Sequence, residues 1–402
     1  MPEVKPDIET FAKIRVVGIG GSGNAAINRM IRDKIRGVDF MAINTDAQAL
    51  HHSEAGKKLH IGKNTTKGLG AGMNPGIGRK SAEESQNEIH DALRDSDMIF
   101  ITCGLGGGTG TGAAPLIADV ARDVGALTVA VITKPFSFEG LQRMEIAERG
   151  LEELEDKVDT IITIPNDRIL QIVDKKTTLL DAFGVVDEVL KQGVQGISEV
   201  ITIPGLINVD FADVKAVMKD AGSSLMGIGQ ASGDNRATEA AKMAIDSPLL
   251  ELSIEGAQGI LFTVTGDKSL GMHEVSEAAK VITEMADNEA KIIFGANIDD
   301  SLKDEVKITV VATGFAGGVA RVTREEEEIP ADKLHFFEQK DKKEEDGLKR
   351  KVKETLELDE DEEILPEEDK EGDLFQEENK EEEKDDKEKK LDIPAFIRKK
   401  MG

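Results

Sequence analysis

Two glycine-rich stretches are the residues of this chain best suited to chemistry. Gly18-Ile19-Gly20-Gly21-Ser22-Gly23 follows an apolar run that begins at Ile14, and Gly104-Leu105-Gly106-Gly107-Gly108-Thr109-Gly110-Thr111-Gly112 follows Met98-Ile99-Phe100-Ile101-Thr102. Glycine lets backbone amides approach an anion, and a helix starting there aims its positive end at it. The first motif alone fits a mononucleotide or a dinucleotide, so a nicotinamide-dependent oxidoreductase is one reading of it. The second run weighs against that reading. Two such turns in one sheet can wrap a triphosphate from both sides, whereas a dinucleotide fold needs only one βα turn at its pyrophosphate. No GxxxxGKS or GxxxxGKT run occurs. Phosphate charge is therefore expected to be met by amides, the hydroxyls of Thr109 and Thr111, a helix terminus and Mg²⁺.

The elements that must position these loops are legible as short apolar runs alternating with helical periods. Ile14 to Ile19 leads to a helix reaching about Arg36 and then to Val38 to Ile43, which is βαβ order. The order continues through Met98 to Thr102, Leu127 to Ile132 and Thr160 to Ile164, with helices expected over Gly112 to Asp123 and Glu139 to Glu155. An α/β, doubly wound, Rossmann-like domain follows, with ligands at the carboxyl ends of its strands. From Thr178 to Ile203, apolar residues at helical spacing predict one long central helix despite Gly184, Gly193 and Gly196. Each interior glycine costs about 0.5 to 1 kcal/mol relative to alanine, so packing on both sides must hold that helix. A second, smaller α/β domain runs from about Gly222 to Arg321, with strands expected at Gly259 to Val264, Lys291 to Phe294 and Val306 to Val311.

Composition sets the outer limits. At 402 residues, two packed domains are expected. A formal charge of -27 with 32% charged residues excludes a protein that binds nucleic acid by neutralising phosphates. The single cysteine, Cys103, forms no intrachain disulfide and reads as a buried strand-end residue; His51 and His52 lack a third ligand at a recognisable spacing. No signal-peptide pattern and no membrane-length apolar run are present, so a cytoplasmic protein with no direct membrane span is expected. Residues 325–390 carry about -16 of the charge and too few apolar groups for a core. They read as a disordered acidic tether with an end-to-end distance of about 45 Å before charge repulsion extends it. Leu391-Asp392-Ile393-Pro394-Ala395-Phe396-Ile397-Arg398 breaks that pattern and reads as a binding peptide.

Gly106 to Gly112, GGGTGTG, is the signature of the tubulin/FtsZ family, and the body from about Ile14 to Phe315 resembles its FtsZ branch, bacterial cell-division GTPases. The supporting stretches are Asn44-Thr45-Asp46-Ala47-Gln48-Ala49-Leu50, Gly68 to Pro75, Lys134 to Gly140, Ile164-Pro165-Asn166-Asp167 and Asn208-Val209-Asp210-Phe211-Ala212-Asp213. The resemblance implies GTP and GDP as ligands, with Mg²⁺ arriving on the nucleotide and no metal site built from protein ligands. It implies contacts from Gly20, Gly21, Ser22, Gly23 and Asn24 to the α and β phosphates, and from the amides of Ala71, Gly72 and Met73 to the γ phosphate. Gly104, Gly106, Gly107, Gly108, Thr109, Gly110, Thr111 and Gly112 belong to the same cradle, as do Asn44, Asp46, Thr133 and Pro135. Glu139 and Arg143 resemble the ribose and phosphate contacts. On the same resemblance, Asn166 and Asp187 would hydrogen-bond the guanine edge, with Phe183 stacking on the ring. Phe183 also reads as a core residue, and Asp46 as a helix N-cap.

The resemblance further implies that Asn208, Asp210 and Asp213 orient the attacking water from the next subunit of a head-to-tail filament, so that hydrolysis waits on assembly. The acids also read as caps of a helix from Val214. The implied organisation is an N-terminal arm (1–12), a GTP-binding domain (13–178), the central helix (179–203), a polymerisation domain (204–321), the tether (322–390) and a tail peptide (391–402). That peptide would dock on a membrane-tethering partner such as the actin-like protein FtsA, and the filaments would form the cytokinetic Z ring at midcell. A filament protein that binds nucleotide without turning it over is the alternative, and the retained Asp210 and Asp213 argue against it.

Overall fold

The computed structural model describes residues 12–170, 177–202, 205–207, 209–247 and 253–315, all within one compact unit, Met1–Arg321. The expected arm, Asn208, the acidic tether and the tail peptide lie outside the described residues, apart from Ala12 of the arm.

The first half runs β1 (Ile14–Ile19), α1 (Gly20–Arg32), β2 (Val38–Asn44), α2 (Ala47–His51), β3 (Lys57–His60), α3 (Lys63–Thr66), α4 (Pro75–Glu84), α5 (Gln86–Leu93), β4 (Met98–Gly104), α6 (Thr109–Asp123), β5 (Leu127–Lys134), α7 (Leu141–Glu155), β6 (Thr160–Pro165) and α8 (Asn166–Ile169). The second half continues with α9 (Leu179–Thr202), α10 (Phe211–Met218), β7 (Gly222–Ser232), α11 (Arg236–Ile245), β8 (Gly259–Gly266), α12 (Met272–Thr283), β9 (Lys291–Ile298) and β10 (Glu305–Thr313).

The α/β class and the doubly wound first half are as expected. Strand order is β3-β2-β1-β4-β5-β6-β7-β10-β8-β9, and every pair from β3 to β7 is parallel. β10 is antiparallel to both its neighbours. The two halves share one sheet, joined where Thr160, Ile161 and Ile162 of β6 pair with Gly222, Ser223 and Ser224 of β7.

Apolar runs buried on both faces explain why the parallel strands form: all six residues of β1 are buried. One face packs on α6, where Ala113, Ala114, Ile117 and Ala118 are fully buried. The other packs on α9, whose Val186, Val189, Leu190, Val194, Ile197 and Val200 share a core with Val129 and Val131 of β5, Met226 of β7 and Val311 of β10. That arrangement explains Gly193 and Gly196, two of the three interior glycines of α9. A β carbon at Gly193 would lie 3.2 Å from Val131 Cγ1, and one at Gly196 2.8 Å from Thr309 Cγ2. The helix gives up propensity so that strands from both halves can approach it.

α6 begins earlier than its sequence suggests, at Thr109 instead of Gly112. Half of the second glycine run is therefore the first turn of a helix. The reason is close packing on α4: a β carbon at Gly112 would lie 1.9 Å from the Pro75 carbonyl oxygen. Gly112→Ala is accordingly expected to lower the melting temperature, with a cost of about 1 to 3 kcal/mol from overpacking. Propensity alone would give alanine the opposite sign. Gly107→Ala, with nothing within 4 Å of the added carbon, serves as the control and should shift stability far less in the same thermal scan.

Candidate nucleotide-binding site

Three loops converge at the carboxyl ends of β1 and β4. Gly20 opens α1 at φ +72°, where a β carbon would lie 3.0 Å from the Gly110 nitrogen, so the first turns of α1 and α6 are in direct contact. Gly21, Ser22, Gly23 and Asn24 complete the α1 turn, and the Gly104 amide donates to Ser22 Oγ at 2.8 Å. The Gly108 amide donates to the Gly72 carbonyl at 2.8 Å, which draws Ala71, Gly72 and Met73 onto the same edge. Gly106 stands against Arg143, whose Cγ would lie 2.7 Å from a β carbon there.

The hydroxyls are used internally. Thr111 Oγ1 accepts from the Gly106 amide at 2.9 Å. Thr109 Oγ1 meets Thr45 Oγ1 at 2.6 Å in a buried pair, which ties the 44–46 turn to the cradle. Asn44 Oδ1 accepts from the Asp46 amide at 3.2 Å. Asp46 caps α2, its Oδ1 accepting from Gln48 and Ala49 at 2.8 and 3.0 Å; one oxygen thus fulfils the capping role and the other is not used in it. Thr133 pairs in register with Gly104, and its carbonyl accepts from the Leu105 amide at 2.9 Å. Pro135 follows. Glu139 closes a 3₁₀ turn by accepting from the Phe136 amide at 2.9 Å, and its other oxygen pairs with Arg143 at 3.1 Å.

A second cluster adjoins the first. Asn166 opens α8 and is buried. Phe183 of α9 sets its ring edge-on to Phe136, centroids 5.5 Å apart, yet remains 42% exposed, so it is not simply a core residue. Asp187, one helical turn on, is half-buried, and burial pushes its carboxyl up to about 6, partly offset by the Arg29 guanidinium. Cys103 is buried in β4, and burial pushes its thiol up to about 12, leaving it inert.

Buried polar groups are nearly always hydrogen-bonded, so a cluster that is not calls for an explanation. Among the described residues Arg15 Nε, Ser96 Oγ and Thr102 Oγ1 are unpartnered singly within or before strands, whereas Asn24 Oδ1 and Nδ2, Asn166 Oδ1 and Arg143 Nε are buried without a partner around the loops. The latter atoms come from three separate elements and all border the loops. An elongated polar ligand with an anionic end fits this donor and acceptor set.

Asp210 and Asp213 are not brought to this edge. Asp210 caps α10, accepting from the Ala212 amide at 3.2 Å, and Asp213 follows in the first turn; both are exposed. The helix begins at Phe211, three residues before the expected Val214. Asp210 and Phe211 line an open cavity of ≈910 Å³ together with Lys13, Ser96, Asp97 and Gly125. Those residues immediately precede β1, β4 or β5, at the sheet edge opposite the glycine loops. Strands of six to eight residues span about 20 to 26 Å.

Sequence reasoning passed over Thr45, Arg29 and Phe136. Thr45 and Phe136 lay inside stretches already matched to the family but without a role of their own, whereas Arg29 has an ordinary residue type whose place depends on tertiary packing. Among the described residues, no helix is long and apolar enough to cross a membrane.

Comparison with known proteins adds an independent line. Residues 13–174 match the GTPase domain of the tubulin/FtsZ family, and residues 222–316 match the C-terminal domain of the FtsZ family. An FtsZ from M. jannaschii, solved as an empty dimer, is 51% identical, with a TM-score of 0.73 over 76% of this chain and 89% of that one. CetZ2 from Haloferax volcanii, in a GTPγS-bound protofilament, is 18% identical, with a TM-score of 0.65 over 75% of this chain and 92% of that one, a likeness of fold alone. Family matches in both halves, 51% identity over three quarters of the chain and the glycine cradle of the first half make this chain a member of the FtsZ family, a cytoskeletal GTPase of the tubulin type.

Proposed function

We propose that this GTPase assembles head-to-tail into filaments and that its hydrolytic site is completed only between subunits, by Asn208, Asp210 and Asp213 of one chain facing the nucleotide of the next. The observation that supports the reading is that Asp210, which caps the helix carrying Asp213 in its first turn, lies at the end of the strands opposite the glycine loops. Within one chain these acids cannot reach a phosphate held by Gly20 to Asn24, Ala71 to Met73 and Gly104 to Gly112. A translated copy brings the two edges together, and a heterologous contact of that kind propagates as an open filament. Leu69 and Leu141, 86% and 75% exposed beside the loops, are apolar surface suited to such a contact. The M. jannaschii relative is itself a dimer.

In this reading the amides and the α1 and α6 termini hold the phosphates, and Mg²⁺ comes with the nucleotide, screening charge without a protein cage. Asn166 and Asp187 read the base edge, Phe183 covers its face, and Glu139 and Arg143 hold the sugar and phosphate side. The acids of the neighbour orient water for in-line attack, which places two carboxylates beside the triphosphate only after assembly. The division into a GTP-binding domain (13–178), a central helix (179–203) and a polymerisation domain (204–321) follows this use. Filaments of this kind would form the cytokinetic Z ring, with 391–402 as the peptide for a membrane-tethering partner such as FtsA.

The test is GTP hydrolysis per subunit against protein concentration, with electron microscopy in GTP, GDP and no nucleotide. The rate per subunit is expected to rise steeply across the concentration at which filaments appear. A rate independent of concentration through that threshold would remove the shared site.

A further inference from the structure

The stripe of α1 that leads away from the phosphate loops ends in a charge that the nucleotide reading above leaves without a role. Ser22, Ala25 and Arg29 lie at i, i+3 and i+7, on one helix face. Ser22 and Ala25 are exposed and Arg29 half-exposed. Seven residues of helix span about 10 Å, the scale of a nucleoside extended from its phosphates. At the far end the Arg29 guanidinium rests on α9 at Gly184: a β carbon there would lie 3.0 Å from Nη1 and 3.6 Å from Nη2. Gly184 thus lets the guanidinium lie close against the α9 backbone; a larger residue there would push it outward. Phe183 precedes it, and Asp187 follows by three positions on the same face.

We infer that Arg29 is a specificity-determining residue: seated on Gly184, it keeps Asp187 as the carboxylate that accepts from guanine and so rejects adenine. The inference rests on the reading of Asn166, Phe183 and Asp187 as the base slot. Guanine offers N1-H and a 2-amino group, two donors that match a carboxylate. Adenine offers an N1 acceptor and a 6-amino donor, which match a protonated carboxyl, with its one O-H donor and one free acceptor. The charge on Asp187 therefore chooses the purine, and a site that leaves a polar edge unpaired rejects the wrong base strongly.

Arg29 is the charge that acts on Asp187. Burial favours the neutral acid, and the guanidinium opposes it. The other charged groups on the packed elements have partners of their own. On α9, Lys191 pairs with Glu188 at 2.7 Å and with Asp33, at the end of α1, at 3.0 Å. On α8, Asp167 accepts from the Ser137 amide at 2.9 Å, and Arg168 follows it in the same short helix. Asp181 is held by Thr178 at 2.7 Å.

The experiment is calorimetric binding of GDP and of ADP to the full chain from pH 5.5 to 8.5, for wild type, Arg29→Met, Arg29→Lys and Asp187→Asn. Diphosphates avoid turnover. In wild type the preference for GDP should weaken as pH falls through about 6. Arg29→Met should move that midpoint up by about one unit, which lowers GDP affinity about fivefold at pH 6, raises ADP affinity there and leaves GDP binding at pH 8.5 unchanged. Arg29→Lys should restore most of the profile. An unmoved midpoint, or an equal loss of GDP and ADP at every pH, overturns the role given to Arg29. If Asp187→Asn abolishes the preference while Arg29→Met leaves the profile in place, only the Arg29 inference falls. If Asp187→Asn keeps the wild-type preference, the base slot itself is misplaced and the inference falls with it.

Discussion

Subunits carrying Asp213→Ala are expected to bind GTP as wild type does, to form filaments, and to release phosphate about 10² to 10³ times more slowly, the loss that removal of a water-orienting acid produces. Asp213 is the cleaner choice of the two described acids. It is exposed in the first turn of α10, whereas Asp210 holds the Ala212 amide, so its removal would add about 1 kcal/mol of lost capping to any catalytic effect. A stronger form of the prediction separates a shared site from one contained in each chain. Asp213→Ala subunits preloaded with γ-labelled GTP should hydrolyse that label once unlabelled wild-type subunits are added, because the missing acid is then supplied by a neighbour. The measurement is a rapid-quench single turnover, read before the label exchanges. Label that stays intact while the wild-type partners turn over would place the acid in cis and end the proposed mechanism.

The architecture around that site was readable wherever burial is two-sided. β1, β4, β5 and β6 are continuous apolar runs because both sheet faces are covered, and α9 kept its helical period because its apolar stripe serves two sets of strands at once. β3, Lys57–His60, escaped notice because an edge strand can be polar and exposed. β7 did so because GSSLMGIGQAS has few β-branched residues; packing of α11 against its glycines replaces side-chain volume, with a β carbon at Gly227 meeting the Ala244 carbonyl at 1.8 Å. The joining of the two halves into one sheet rests on the short β6 to β7 pairing, which no local pattern announces.

The candidate site divides in the same way. The glycine runs state their need for close approach in their composition, and the residues that meet at the cradle were all given a role beforehand except Thr45, which appeared only inside a matched stretch. Arg29 and Phe136 depend on α1 and α9 crossing at Gly184 and on the 3₁₀ turn behind Pro135, and neither crossing nor turn has a signature in a single chain.

Replacing Asp187 should separate binding from stability in opposite directions. Burial raises the Asp187 pKa from 3.8 to about 6 in the folded chain, so the fold binds this proton more tightly than the unfolded chain does. Its contribution to stability is therefore greatest below pH 3.8 and is lost as pH rises through about 6. At pH 7 the ligand-free protein carries a half-buried charge that works against its own fold. A two-unit elevation corresponds to about 3 kcal/mol at full strength, which solvent screening of a partly exposed group reduces to about 1 kcal/mol. Asp187→Asn removes the charge at nearly constant shape. The ligand-free variant should melt about 1 to 2 °C higher than wild type at pH 7, and the difference should fall to about half by pH 5 and close only below pH 3.8. Over the same change GTP affinity should fall at least tenfold, since the variant presents an amide donor where the proposed site presents a second acceptor to the base. Scanning calorimetry at the two pH values and direct GTP binding read the two effects separately. A variant that melts lower at pH 7, or a difference that ignores pH, would mean that Asp187 is a structural carboxylate. The carboxylate's unfavourable burial would then have no function in reading the base.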